Sequence, residues 1–185
     1  MRRLASSLGF EVMALYNHVK SKGDLLDGML EAVGAEVAFE NEPIDWRSSI
    51  RRSAQETAAA LRRHPWAAPL WLGRPPGPSR LDLMEALLVG LERSGADPED
   101  RDRAFHAIVN HVVGFAVAAG TLPESASGTS RGDLDLESRP HVAAHLAWHA
   151  EGRSAVDPDP FTFTLDAILE AVEPRVPLGA PFQGT

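Results

Sequence analysis

Residues Arg2–Leu26 read RRLASSLGFEVMALYNHVKSKGDLL, and this stretch decides the fold. Met1–Leu8 is helix-permissive and stops at Gly9, a residue suited to closing a helix because it enters the left-handed region without a Cβ penalty. Glu11–Val19 predicts a second short helix. Ser21 followed three residues later by Asp24 is a variant capping box. It opens a third helix whose apolar residues Leu25, Leu26, Met29, Leu30, Val33 and Val37 recur at intervals of three and four. Leu4, Ala5 and Leu8 are expected to face inward from the first helix, and Leu15 and Val19 from the second. Two short helices joined at a glycine form a helix-turn-helix, a motif whose second helix lies in the DNA major groove. Over residues 1–22, Arg2, Arg3, Lys20 and Lys22 meet a single acid, Glu11, on a chain whose net charge is −8. A basic end on an acidic body is the charge layout of a localised phosphate-binding surface.

The remaining chain also reads as helix. Asp45 caps a helix through Trp46, Ile50, Ala54, Ala58 and Leu61. Pro65 is expected to end it or to restart it at the first position of a short helix bearing Trp66, Leu70 and Trp71. Gly73–Pro78 reads as a rigid loop. Leu81, Met84, Leu87, Leu88 and Leu91 form an apolar stripe closed by Ser94-Gly95. Asp97-Pro98-Glu99-Asp100 combines a cap, a proline at the first helical position and acids in the first turn. The helix it opens is apolar on most sides from Ala104 to Ala119, which predicts burial or a subunit interface. Residues 120–137 read as a loop, Arg139–Glu151 as helix, and Asp157-Pro-Asp-Pro160 as the start of a last helix. The fold class is therefore all-α. The expected organisation is an incomplete DNA-binding unit with its linking helix over 1–40, a helical ligand-binding and dimerisation domain over 41–175, and a flexible tail over 176–185.

Composition excludes several functions. There are no cysteines, so disulfides, thiolate metal sites and cysteine nucleophiles are absent, which fits a reducing cytoplasm. No apolar run approaches the ~20 residues of a membrane span, and no leader precedes a cleavage site. A Gly-rich phosphate loop, a nucleophile elbow and a His-Glu-x-x-His motif are all missing, so no enzyme is expected. His141, His145 and His149 share one helix face, but no acid or cysteine accompanies them. Neither a metal nor any other cofactor is expected.

The segment Leu8-Gly9, then Leu15-Tyr16-Asn17-His18-Val19, then Lys22-Gly-Asp-Leu-Leu26 resembles the signature of the TetR family of transcriptional regulators, and most closely its tetracycline-repressor-like branch. The resemblance implies that Tyr16, His18 and Lys22 contact phosphates, Lys22 at a helix start whose backbone N–H groups also favour an anion. It places Val12, Met13 and Ala14 against bases, where apolar side chains meet a thymine methyl but form no bidentate hydrogen bond. Arg2 stands where the family reads a base from the first helix. Arg3 and Asn17 complete the expected DNA-contacting set. The family's DNA-binding domain carries a helix and a turn before the Arg2 helix, and Met1 falls in mid-motif. DNA binding by these residues alone is therefore expected to be weak, and the reader loosened.

Fainter echoes of the same branch run through the larger domain: Trp71-Leu-Gly73 before a proline-bearing loop, Ser94-Gly95, Gly114-Phe115 and Phe163-Thr-Leu-Asp166. Trp71 stands where the branch has a metal-binding histidine, and Arg74 where it has a threonine, so its magnesium–tetracycline site is not carried over. A pocket between bundle helices remains expected. Trp66, Trp71, Met84, Leu87, Phe115 and Trp148 are its candidate walls, and His64, His106, Asn110 and His111 its candidate polar contacts. The implied partners are a palindromic double-stranded DNA operator, a second copy of the chain through the 104–119 and final helices, and a small hydrophobic organic ligand that relieves repression. The alternative is a helical small-molecule-binding or scaffold protein that no longer binds DNA.

Overall fold

Four side chains start helices where their spacing foretold. Ser21 Oγ accepts from Asp24 N–H at 3.0 Å, and Asp24 accepts from Lys20 N–H at 2.8 Å. Asp45 accepts from Ser48 N–H at 3.0 Å, and Asp97 from Asp100 N–H at 2.9 Å. Asp159 takes the N–H groups of both Phe161 and Thr162. Apart from the Lys20 N–H, which lies ahead of α3, each donor is one that the first helical turn leaves without an internal partner. The structure, a computed structural model, describes residues 1–37, 45–121, 135–150 and 159–173. The expected break at Asn41–Pro43, most of the 120–137 loop, Asp157 and the 176–185 tail lie outside the described residues.

The described elements are α1 (Arg2–Leu8), α2 (Val12–Tyr16), α3 (Lys22–Ala35), α4 (Trp46–Arg63), α5 (Ala68–Trp71), α6 (Pro78–Arg93), α7 (Pro98–Thr121), α8 (Pro140–Ala150) and α9 (Pro160–Ala171). Among the described residues there is no strand. Gly9 closes α1 at φ 73° and Gly95 follows α6 at φ 78°, the left-handed geometry that favours glycine. Two boundaries differ from the sequence reading. The second helix ends at Tyr16, not Val19, because the chain must turn into the capped start of α3, with Lys20 N–H already taken by Asp24. Trp66 precedes α5, since the backbone turns through His64–Ala67 before helix resumes at Ala68.

At the centre α4 packs against both α6 and α7, α9 covers α7, and α3 lies on α6. Leu30, Ile50, Leu61, Leu91, Ile108, Leu165 and Leu169 are fully buried along these contacts. Close approach needs small residues. A Cβ on Gly90 would stand 2.7 Å from Ile50 Cγ1, so α6 reaches α4 only because that position is glycine. Gly34 plays the same part between α3 and Ser79–Arg80 of α6. Arg51 clasps Asp166 through Nε and Nη2, at 3.0 and 2.6 Å, tying α4 to α9. No helix of the described residues is long and apolar enough to cross a membrane.

The inward face expected for α1 is only partly realised. Ala5 is buried, but Leu4 and Leu8 are 37% and 53% exposed. Leu15 and Val19 are half-buried.

Candidate functional site

Two regions hold the residues singled out by the sequence. The first is the α1–α2 end. Gly9 turns α1 into α2, and the N–H groups of Gly9 and Phe10 bond back to Ser6 and Ala5 carbonyls, at 3.3 and 2.9 Å. Arg2 and Arg3 are exposed on α1. On α2, Met13 is exposed and Val12 and Ala14 are half-buried. Tyr16 ends α2, Asn17 and His18 form the turn after it, and Lys22 is the first residue of α3; all four are exposed. No side-chain hydrogen bond or ion pair within the described residues engages Arg2, Arg3, Tyr16, Asn17, His18 or Lys22. Their polar atoms are thus open to an external partner.

The second region is a cavity of about 340 Å³ between α4, α6, α7 and the loop after α5. It gathers Trp71, Met84, Leu87, His106 and Asn110 from the sequence candidates. His64, Trp66, His111, Phe115 and Trp148 do not line it. His64 Nε2 is 2.7 Å from Glu36, and its ring meets Trp66 edge-on. His111 stacks on Phe161 with ring centroids 4.7 Å apart, and its Nε2 lies 2.9 Å from the Phe161 carbonyl oxygen. Phe115 packs against the same ring. These residues fasten α9 to α7. Trp148 is exposed on α8.

The cavity walls are mostly apolar: Leu83 and Leu87 of α6 and Ile108, Val109, Val112 and Val113 of α7. Exposed Met84, His106 and Asn110 border its mouth. Sequence reasoning missed Thr57, Phe105 and Arg80, and it noted Arg74 only as a departure from a family position. Thr57 Oγ1 is turned back onto the Ser53 carbonyl at 2.7 Å. Arg80 is 4% exposed. Its guanidinium donates to the Trp71 carbonyl at 2.8 Å, to that of Arg74 at 3.3 Å and to that of Pro75, and it stacks over the Trp71 ring. Burial holds its pKa below the ordinary arginine value. The one available signal for both arginines is a pair of cations flanking the proline-rich loop in an otherwise apolar neighbourhood.

Arg74 connects the cavity to α3. Its Nε donates to Asp27, and its Nη2 donates to the Gly23 carbonyl at 2.9 Å. The hydrogen bond from Arg74 holds the Asp27 carboxyl below the usual carboxylate range. One turn on, Glu31 accepts from Ser79 N–H at 2.7 Å and from the Ser79 hydroxyl. Polar contacts thus lock the helix that follows the α1–α2 pair onto the cavity's own loop. Among the described residues no three His, Asp or Glu side chains converge as metal ligands would.

Comparison with known proteins agrees with this architecture. The family model described as the tetracyclin repressor-like C-terminal domain matches residues 40–176. The HTH-type transcriptional repressor DrrR1 of Streptomyces coeruleorubidus is 35% identical over 190 residues, spanning 94% of this chain and 69% of that protein. The class A tetracycline repressor from transposon 1721 of Escherichia coli is 31% identical over 137 residues, 72% of this chain and 63% of its own length. The chain thus spans about two thirds of the length of these curated relatives. Apo ActR from Streptomyces coelicolor superimposes with a TM-score of 0.63 at 25% identity, over 93% of this chain and 87% of that one. The chain belongs to the tetracycline-repressor-like family of transcriptional regulators.

Proposed function

We propose that this protein is a one-component repressor that reads a palindromic operator as a homodimer and is released by a small, largely apolar ligand. The observation that carries the reading is a division of labour within one helical chain. An exposed, basic α1–α2 end with uncommitted Arg2, Arg3, Tyr16, Asn17, His18 and Lys22 sits ahead of a bundle enclosing an apolar cavity of about 340 Å³.

Residues 1–40 act as the reader and 41–175 as the sensor and dimerisation domain. Tyr16, His18 and Lys22 take phosphates, Met13 with Val12 and Ala14 meets base edges, and Arg2 reads guanine. Trp71, Met84, Leu87, His106 and Asn110 contact the ligand. Outward residues of α7 and α9, such as Phe163, meet the second copy. Two copies related by a two-fold axis present two readers to two half-sites. Ligand binding shifts the population of α3 positions, which changes the reader spacing. The protein acts in the cytoplasm and has no catalytic role.

The test is selection of duplex DNA from a randomised library by the purified chain at low ionic strength, where phosphate contacts are strongest. The expected result is one enriched sequence with two-fold symmetry. Lys22→Ala should lower affinity for it and reduce the salt dependence by about one counterion. Enrichment of no sequence, in a preparation that still binds small apolar molecules and whose α1 and α2 amides are protected from exchange, overturns the regulator reading and leaves a helical ligand-binding protein.

A further inference from the structure

We propose that the cavity recognises an anion: an apolar molecule carrying one acidic group, bound by Arg74 and Arg80, whose acid competes with Asp27 for Arg74. This rests on the sensor reading above and names the chemistry of the ligand.

Three observations lead there. First, among the described residues no aspartate or glutamate lines the cavity, whereas two arginines do. Second, Arg80 is a buried cation whose direct partners are all neutral carbonyl oxygens, those of Trp71, Arg74 and Pro75. Its Nε is buried with no hydrogen-bond partner among the described residues. Asp27 and Glu31 act on it only at a distance. A guanidinium taken out of water with an unfilled donor is a standing demand for an acceptor, and a charged acceptor meets it best. Third, Arg74 lines the same cavity while its Nε and Nη2 are committed to α3, to Asp27 and the Gly23 carbonyl. The Asp27 side chain is 46% exposed, so water screens that pair and holds it weakly. An acid group delivered inside the apolar cavity, beside both guanidinium groups, meets less screening and wins Arg74 from Asp27. Losing Arg74 frees the first turns of α3, which lie directly behind the reader. A neutral ligand of the same shape would fill the cavity and leave that clasp closed. The apolar walls supply the rest of the affinity, so the ligand is an amphipathic acid with a hydrophobic body, not a small inorganic anion.

Two fluorescent probes that differ by a single sulfonate provide the test: anilinonaphthalene sulfonate and its neutral parent, N-phenylnaphthylamine. Both are titrated into the full chain at low salt. The sulfonate is expected to bind about tenfold more tightly than its neutral twin, the scale of one charge-assisted hydrogen bond. In Arg74→Gln that preference should collapse while the neutral probe keeps its affinity. Asp27→Asn removes the competitor and should tighten sulfonate binding about threefold with the neutral probe unmoved. Because Asp27→Asn leaves Arg74 in place, it decides the matter even where Arg74→Gln fails to fold. Met84→Trp narrows the mouth and should weaken both probes.

Equal or tighter binding of the neutral probe overturns the anion proposal and leaves the sensor reading intact. So does a sulfonate preference that survives in a folded Arg74→Gln protein, or an affinity indifferent to Asp27→Asn. Failure of both probes to bind, or undiminished binding of both in Met84→Trp, removes the sensor site and the proposal with it.

Discussion

Gly9 shows how much of the reader turns on a single residue. It sits at φ 73° with nothing within 4 Å of where a Cβ would stand. Substitution is therefore opposed by backbone conformation alone, not by crowding. Gly9→Ala should cost about 1 kcal/mol, the penalty for placing an L side chain in the left-handed region. The effect is expected to be local: amides of α1 and α2 should exchange about fivefold faster while those of α4 and α7 do not change. Equal acceleration throughout the chain would mean the pair does not open on its own. The arginines teach a related lesson. Arg74 was visible as a residue out of keeping with its family position, but nothing in its neighbours along the chain announces Asp27, which is 47 residues away. Arg80 reads as a surface cation by its type, yet it is almost wholly buried because it satisfies the carbonyls that end α5.

At the scale of elements, the starts of α3, α4, α7 and α9 were legible because a cap is a local device: a side chain and the amide two or three residues on. The α5 region was less legible. A proline at 65 permits a helix start there, but the backbone turns through His64–Ala67 before helix resumes at Ala68. Packing between elements is likewise invisible to periodicity. Gly90 lies on the apolar stripe of α6, where alanine would serve the helix better by about 1 kcal/mol. Ile50 of α4 occupies the space that methyl would need. Gly90→Ala should therefore destabilise the protein, by about 1 kcal/mol net, since overpacking typically costs 1–3 kcal/mol. In an Ile50→Ala background the same change should become stabilising. Denaturant midpoints of the four proteins in that cycle check this; additive effects would show that α4 and α6 do not meet at these two residues.

For the whole molecule, several carboxylates hold the helices to one another. Arg74 lowers the pKa of Asp27, and Arg63 with His64 lowers that of Glu36. These join α3 to the loop after α5 and to the end of α4. A carboxyl whose folded pKa is depressed binds its proton more readily in the unfolded chain, so it stabilises the fold above the ordinary carboxylate value. That contribution fades as pH falls through the folded value. The melting temperature should change little from neutral pH down to about pH 5 and then decline. Asp27→Asn should be less stable than the wild type at neutral pH, and the gap should narrow as pH falls through the folded value of Asp27, below the ordinary carboxylate range. A gap that persists unchanged into that acid range would show that the Arg74 clasp contributes nothing to stability.

By itself the sequence determined the all-helical class, the caps, the glycine turn of the reader and the family, because all of these are written in residues close together along the chain. Of the residues expected at a pocket, Trp71, Met84, Leu87, His106 and Asn110 come together around the cavity, while His111 and Phe115 serve the α7–α9 seam. An aromatic or a histidine on a helix announces that it will be used, not which neighbour will use it. That choice depends on how α4, α6 and α7 cross, and the crossing is set by side chains such as Ile50 and Gly90 that are distant in sequence. Only the tertiary structure, which packs those helices at close range, placed two arginines inside an apolar cavity and α3 within their reach.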